Sequence, residues 1–402
     1  SYRLVTSKNN NEVLDYFCCF RNQWNSHCAS LKNKMENKEK VDNIFLGIVI
    51  ALLVFGLFSF ISASFGILAK NEAKFAGVLF SQATGLIVGL VLMYVCARIP
   101  YKFWRNYAFY FFLASLLITL LVFVPGLGQK HGGATRWIDV AGFSFQPVEF
   151  LKISFIFYFA GWLSWVKSKA KELKYGVLPL LIILGIITAI LVKQPDHKSI
   201  ILIVLASGAM LVASGVPWKY ILGVAGVSLL VFATMVFTKP YLRERVVTFL
   251  NPAHDVKGTS YQLNQSLIAI GSGEIFGRGL GKSVQKFTYL PEPQGDSIFA
   301  VIGEEFGFVG TTLLIILYVA FVLRGMKIAF NAPDSFSRLM VVGLVILIVA
   351  QSFMNIASSI GAFPLTGVPL VFISHGGTSL MFSLAVVGII LNISRKKESM
   401  NL

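Results

Sequence analysis

Charged residues are scarce in this chain of 402 residues. Only 13% are Asp, Glu, Lys or Arg, about half of the roughly 25% that is usual in soluble domains. Hydrophobic residues make up 55% of the chain, and the mean hydropathy is +0.72. This composition excludes a soluble globular enzyme and indicates a polytopic membrane protein.

Acidic residues are especially few, at 19 against 35 basic ones, which gives a formal net charge of +16. The basic residues occur in short clusters between long apolar runs, instead of forming one surface that faces water. Nucleic-acid binding requires such a surface, so this partner class is excluded.

Motifs for disulfides and zinc are also missing. The four cysteines have no CxxC spacing, and the five histidines form no HExxH motif. The sequence therefore predicts neither a disulfide framework nor a zinc site. Cysteine usage leaves the redox compartment undetermined.

Long apolar stretches are abundant, and about 20 apolar residues suffice to cross the roughly 30 Å hydrocarbon core of a bilayer. Ten such stretches predict an all-α polytopic membrane protein with ten transmembrane helices. They cover residues 44–69, 76–97, 104–125, 147–166, 175–192, 199–214, 219–238, 297–323, 336–361 and 372–393.

Lysine and arginine concentrate in alternate short loops, which predicts that both termini are cytoplasmic. A large loop, residues 239–296, then lies outside the cytoplasm between the seventh and eighth helices. It is basic as well, but long loops largely escape the charge rule.

Residues 1–34 differ from the remainder and have no signal-peptide layout. From Met35 the sequence MENKEKVDN leads directly into the first apolar stretch. We expect residues 1–34 to be a non-native or disordered extension, and residues 35–402 to form a single membrane domain. A chain that begins at Met35 should insert and function normally.

Ionisable side chains within apolar stretches are costly, so they indicate a site or a pathway. Glu149 and Lys152 are three residues apart and share one helix face, either as a substrate site or as a self-neutralising pair. Asp196 ends the fifth stretch, and a solvated loop is the alternative there. The adjacent carboxylates of Glu304 and Glu305 require a polar cavity or a basic partner.

The segment GRGLGKSVQK in the large loop is rich in glycine and basic residues. It superficially resembles a phosphate-binding P-loop, but Phe276 occupies the position of the first glycine, which excludes ATP binding. Arg278, Lys282 and Lys286 among these glycines suit a phosphorylated lipid. The alternative is a flexible loop that touches anionic headgroups.

Four segments together resemble the SEDS family (shape, elongation, division and sporulation), whose members are membrane glycosyltransferases that polymerise lipid II into peptidoglycan. SAS at residues 62–64 and SVQKFTYLPE at residues 283–292 look more like the division branch of that family than its elongation branch. The four segments are GGATRWIDVAGFSFQPVEFLK at 132–152, QPD at 194–196, YQLNQSLIAIGSGEIFGRGLGKSVQKFTYLPEPQGDSIFAVIGEEFGFVG at 261–310 and PLTGVPLVFISHGGTSL at 364–380.

The resemblance implies that Asp296 is the catalytic base, which takes the proton of an acceptor hydroxyl. The alternative role for Asp296 is a cap on the eighth helix. Cations would stabilise the leaving pyrophosphate, and the candidates are Lys152, Arg136, Arg243, Lys286 and Arg278. The other predicted substrate-binding residues are Glu149, Asp196, Gln262, Gln265, Lys282, Ser374, Gly376 and Gly377.

No cofactor is predicted with certainty. A divalent cation, magnesium or manganese, at the leaving pyrophosphate remains an open alternative, and no ligand cluster for it can be recognised in the sequence.

This chain departs from the family pattern at several positions, which puts fine positioning and partner contacts in doubt. Gln294-Gly295 stand where the family has His-Thr, and His197-Lys198 follow QPD in place of an apolar residue and glycine. The remaining departures are Val148, Ser297, His375 and Thr378.

The resemblance also implies a class B penicillin-binding protein as transpeptidase partner, other membrane proteins of the division machinery, and location in the bacterial inner membrane at the septum. Three alternatives remain: a lipid II flippase, a scaffold for the transpeptidase, and a polymerase of the elongation branch.

Overall fold

The structure is a computed structural model, and it describes residues 41–69, 72–131, 134–140, 143–166, 169, 172–251 and 260–395. The described residues belong almost wholly to the unit Asp42–Leu402. The expected extension, residues 1–34, and its boundary at Met35 lie outside the described residues.

Thirteen α-helices are found in the described part of the chain. Each of the ten apolar stretches coincides with one of them. The helices are α1 Asn43–Leu68, α2 Glu72–Arg98, α3 Tyr101–Leu121, α4 Pro147–Val166, α5 Leu178–Lys193, α6 His197–Ala213, α7 Trp218–Thr238, α8 Pro240–Leu250, α9 Tyr261–Ser272, α10 Gln285–Thr288, α11 Ile298–Phe330, α12 Ser335–Ser359 and α13 Gly377–Ser394. A π-helical turn, Leu173–Val177, leads into α5.

Eight helical segments in the described part are long and apolar enough to cross a membrane: α1, α2, α3, the π turn with α5, α7, α11, α12 and α13. Of the other two predicted spans, α6 has only 17 residues, and α4 carries Glu149 and Lys152 in its first turns. The chain is therefore a multi-pass membrane protein, with eight of the ten helices qualifying by length and composition.

A small antiparallel sheet precedes α4, so the all-α prediction is wrong at this place. Its strands, in the order β1-β2-β3, are Gly128–His131, Ala134–Val140 and Phe143–Phe145. The middle strand has the sequence ATRWIDV, in which β-branched and aromatic residues favour extended backbone. Its Ile138 pairs with both Gly128 and Phe145.

The connection between α7 and α11 is folded against the helices. Within this connection the short helix α9 buries Leu263, Ser266 and Ala269. Helix α11 is interrupted at Gly307, where φ is +64° and ψ is −160°. A Cβ there would be 2.4 Å from the backbone nitrogen of Gly277, so this close approach requires glycine.

Helices α12 and α13 form the centre of the fold. Most of the apolar length of each is buried, whereas α7 leaves nearly all of its apolar surface exposed, as expected of a helix that faces lipid. Helix α13 packs closely on α2, because Gly85 lies against the backbone of Gly377 and Gly388 lies against that of Met93.

Candidate functional site

The backbone that carries Asp296 is held at three successive residues. Asn355 of α12 donates its Nδ2 to the carbonyl oxygen of Asp296 at 2.9 Å. The hydroxyl of Ser374 donates to the carbonyl of Gly295 at 2.8 Å, and the backbone N–H of His375 donates to that of Gln294 at 2.7 Å. Residues 294–296 are therefore fixed by α12 and the segment before α13.

The carboxylate of Asp296 is half-buried and makes no hydrogen bond with any described residue. It does not cap α11, because the residue at the cap position is Ser297, whose side chain makes no capping bond either. A free carboxylate on a fixed backbone is available to accept a proton from a bound molecule.

A cavity of about 130 Å³ lies beside this acid, between α6, α7, α8 and residues 363–366. Asp296 lies next to the wall of the cavity that contains Thr366. The following residue is Gly367, and a Cβ on it would lie 2.9 Å from Oδ2 of Asp296. The lining consists of Arg136, Pro195, His197, Lys198, Ile201, Phe232, Tyr241, Leu242, Arg245, Val246, Phe363, Pro364, Leu365 and Thr366.

Three half-buried cations point their donors at backbone carbonyl oxygens around this cavity. Arg136 donates Nε to Gln194 at 3.1 Å and a second nitrogen to Pro195. Lys198 donates to Gly367, and Arg245 donates to Leu365. Within the described residues, none of the three cations forms a salt bridge.

The electrostatics of the cavity are strongly positive. Burial lowers the pKa of Arg245, the charges of Tyr241 and Asp296 raise it, and the charge of Arg136 lowers it. A guanidinium that is partly desolvated beside another cation favours an anion nearby. The cavity can therefore hold a negatively charged group next to Asp296.

Arg136 is the only one of the five predicted pyrophosphate-binding cations that lines this cavity. Arg243 is exposed, and the cavity arginine of α8 is Arg245 instead. Two residues along a helix correspond to a turn of about 200°, so the two side chains lie on opposite faces. Sequence reasoning missed Arg245 and Lys198, although the departure from the family at Lys198 was a signal.

Lys286 was predicted to bind substrate, which stays a prediction, and in the structure its ammonium group belongs to a buried ion pair. Its Nζ lies 2.6 Å from Glu305 Oε1 and 3.0 Å from the hydroxyl of Ser62. Both charged side chains are almost completely buried. The pair therefore joins the glycine-rich loop to α1 and α11 and is inaccessible to a lipid headgroup.

The neighbouring carboxylate, Glu304, is satisfied by the same loop. It accepts hydrogen bonds from the hydroxyl of Ser283 at 2.5 Å and from the backbone N–H of Val284 at 2.9 Å. Arg278 forms a longer ion pair with Glu304 at 3.7 Å. We expected a polar cavity or a basic partner for these glutamates, and each of them has a basic partner. Lys282 is exposed and lies outside the cavity lining.

Glu149 and Lys152 form a buried ion pair of 2.9 Å. Lys152 also donates to Gln351 of α12 at 3.0 Å. The empty space beside the pair is only about 10 Å³, roughly the volume that one water occupies. Lys152 does not line the cavity of Arg136, and its role in binding substrate stays a prediction.

The remaining predicted residues surround the acid or the cavity without opening into it. Asp196 is fully buried and accepts from the hydroxyl of Ser199 at 2.8 Å. Gln262 donates to the hydroxyl of Ser297 at 3.2 Å, and Gln265 is half-buried on the same helix. Ser374, Gly376 and Gly377 hold residues 294–296 and α2 in place.

No group of three or more metal-ligating side chains that could hold an ion is present among the described residues. The cations of the cavity beside Asp296, which are Arg136, Lys198 and Arg245, are not ligands for a divalent metal.

The fold and the site define a multi-pass membrane protein with a fixed acid beside a cationic cavity. Comparison with known families agrees: the model of the FtsW, RodA and SpoVE family, described as cell cycle protein, matches residues 42–399. The chain belongs to this family.

One similar relative is a probable peptidoglycan glycosyltransferase FtsW of Geobacter sp. (strain M18), 37% identical over 362 residues, which cover 90% of this chain and 99% of that protein. Among solved structures, a chain of a peptidoglycan synthase complex that coordinates polymerization and crosslinking is similar with a TM-score of 0.72 and 26% identity, over 89% of this chain and 98% of that one. The rod shape determining protein RodA of Thermus thermophilus gives a TM-score of 0.66 and 25% identity over the same shares.

Proposed function

We propose that this protein is a peptidoglycan glycosyltransferase that polymerises lipid II during cell division, with Asp296 as general base. The observation that carries the proposal is the free carboxylate of Asp296, held through its backbone by Asn355 and placed beside cations without carboxylate partners. Relatives at 37–39% identity named as probable peptidoglycan glycosyltransferases FtsW support the division branch.

The reaction follows from this arrangement. The carboxylate of Asp296 takes the proton of an acceptor sugar hydroxyl, and the hydroxyl oxygen attacks the anomeric carbon of a second lipid-linked glycan. The bond between that carbon and the diphosphate breaks, and its electron pair leaves with the polyprenyl diphosphate. Arg136, Lys198 and Arg245 offset the negative charge that develops on the leaving group.

The proposal includes a topology with ten transmembrane helices, both termini in the cytoplasm and residues 239–296 outside it. In this arrangement Asp296 meets the outer leaflet, where a lipid-linked sugar is accessible. A class B penicillin-binding protein as partner is supported by the similarity to a chain of a peptidoglycan synthase complex. Location at the septum, with other division proteins as partners, follows from the proposed division role.

The test is polymerisation of lipid II by the purified full chain, alone and with a class B penicillin-binding protein. Asp296→Asn keeps the shape of the residue and its backbone contacts but loses the base, so the rate should fall by about 10²- to 10⁴-fold. Asp139→Asn, at an exposed position of β2, serves as the control and should remain active.

Near wild-type polymerisation by Asp296→Asn would require a different acid. A flippase would move lipid II across a bilayer without joining it, so the length of the glycan products separates the two functions. An elongation polymerase would give the same products in vitro, and depletion in growing cells would then block elongation instead of septation.

A further inference from the structure

The cations of the cavity are oriented but not neutralised. Arg136, Lys198 and Arg245 each donate to backbone carbonyl oxygens, which carry only partial charge. Such bonds fix the direction of each donor and leave its formal charge uncompensated. Nearby cations that repel one another in a half-buried space are costly unless an anion binds between them.

The acids close to the cavity do not provide that compensation. Asp196 precedes the wall residues His197 and Lys198, but it is fully buried and occupied by Ser199. Asp296 lies next to the wall, behind Gly367, and forms no salt bridge with any of the three cations. In the described part of the chain the site therefore has three cations and two neighbouring carboxylates, Asp296 and Glu292, neither of which forms a salt bridge with these cations.

The cavity has room for a diphosphate group. Its volume of about 130 Å³ is about ten times the roughly 10–15 Å³ that one water requires. The lining also includes the apolar side chains of Ile201, Phe232 and Phe363. An anion that carries a hydrocarbon chain matches both the cations and these apolar residues.

Lys198 provides the third charge, at a position where the chain departs from its family. Two guanidinium groups match the charge of a phosphate monoester, whereas a diphosphate carries more charge and more acceptor oxygens. We propose that Lys198 makes this cavity selective for a lipid-linked diphosphate over a monophosphate, and thereby for the donor and product diphosphate of the reaction. This inference rests on the proposed function for the identity of the lipid.

Binding to the full chain in detergent tests the inference independently of activity. The probes are inorganic pyrophosphate, inorganic phosphate, farnesyl diphosphate and farnesyl monophosphate. We expect the two diphosphates to bind at least tenfold more tightly than their monophosphate counterparts. Loss of one charged hydrogen bond in Lys198→Met should weaken diphosphate binding by about 10- to 100-fold, with little change for the monophosphates.

Lys193→Met is the matched control, because Lys193 is exposed at the end of α5 and does not line the cavity. Its binding should equal that of the wild type. Lys198→Arg keeps the charge and should retain the selectivity, which tests the inference even if Lys198→Met fails to fold. Tighter binding of farnesyl diphosphate than of pyrophosphate would support the proposal that the ligand is lipid-linked. Equal binding of the two probes would overturn that part of the proposal.

Unchanged pyrophosphate binding by Lys198→Met, or an equal loss for diphosphates and monophosphates, would overturn the selectivity. Different results would contradict the proposed function and the selectivity of Lys198. A wild-type chain that binds diphosphates through Lys198 but never polymerises lipid II contradicts the proposed function alone. A chain that polymerises lipid II but binds diphosphates without Lys198 contradicts this inference alone.

Discussion

Gly367 leaves room for the carboxylate of Asp296: a Cβ on residue 367 would be 2.9 Å from Oδ2 of that acid. Gly367 also has a φ of +64°, a conformation that costs other residues about 1–2 kcal/mol. Two separate requirements therefore select glycine at this position, and only one of them concerns Asp296.

A comparison of Gly367→Ala with Gly361→Ala should separate the requirement for a positive φ from the requirement for space beside Asp296. Gly361 has a similar φ of +74°, but its Cβ would meet only Leu263 at 3.6 Å. Both variants should lose a similar amount of stability in thermal unfolding. Only Gly367→Ala should reduce lipid II polymerisation strongly, by about 10²-fold, since a displacement of about 1 Å suffices for this. Equal activity of the two variants would show that Asp296 tolerates the contact.

The helices could be predicted from the sequence because an apolar stretch of membrane length has few alternatives. The sheet before α4 could not, since its strands have three to seven residues and depend on pairing with each other. The proposed role of Asp296 as general base came from the resemblance to the family. The sequence around Asp296, without the resemblance, was also consistent with a helix cap.

The cavity could not be derived from the sequence because its walls come from distant segments. Arg136, Lys198, Arg245 and Leu365 meet only in the folded chain. Whether Arg243 or Arg245 faces the cavity depends on the rotation of α8, which is set by how this helix packs in the folded chain, where it buries Leu242 and Thr248. The buried contacts of Lys286 could not be predicted for a related reason, since its partner Ser62 is 224 residues away.

Lys286→Met should destabilise the protein by about 3–5 kcal/mol, because Glu305 is then left buried without its cation. Unfolding in detergent measures this, and Lys286→Met/Glu305→Gln should recover most of the loss. The control Lys282→Met changes an exposed lysine of the same loop and should stay within about 0.5 kcal/mol of the wild type. If the two single variants are equally stable, the buried pair does not hold the loop.

The raised pKa of Glu292 predicts that the stability of the protein depends on pH. The residue is exposed, but partial desolvation of its carboxyl group in the loop raises the pKa, the charge of Asp296 raises it further, and Lys74 and Lys198 lower it. The folded chain therefore keeps this proton at a pH where the unfolded chain has lost it. The resulting stabilisation is complete below the ordinary pKa of 4.5 and is lost as the pH rises through the raised value.

Glu292→Gln lacks this titration, so its melting temperature should rise relative to that of the wild type as the pH increases from about 4.5. The difference should level off once Glu292 is ionised in both states. Thermal unfolding between pH 4 and 8 measures this difference in melting temperature. Added salt should reduce the contribution that comes from the charge of Asp296. A constant difference across this range would contradict the raised pKa.

Lys152 connects α4 to the loop beside Asp296. It donates to Glu149 and to Gln351, and Gln351 donates in turn to the carbonyl of Pro369 at 3.3 Å. Pro369 is two residues from Gly367, so this network anchors the segment against which Asp296 rests. We expect Lys152→Ala to lose lipid II polymerisation, and the network offers a reason besides direct contact with substrate.

The double variant Lys152→Met/Glu149→Gln separates charge neutralisation from this anchoring. Lys152→Met alone should cost about 3–5 kcal/mol of stability, since it leaves Glu149 buried and unpaired. The double variant removes both charges and should recover stability in thermal unfolding. Polymerisation should stay low, because Gln351 still lacks the donor that orients it. If the double variant regains both stability and activity, then Glu149 and Lys152 serve only to neutralise each other's charge. The cations of the cavity would then suffice for the reaction.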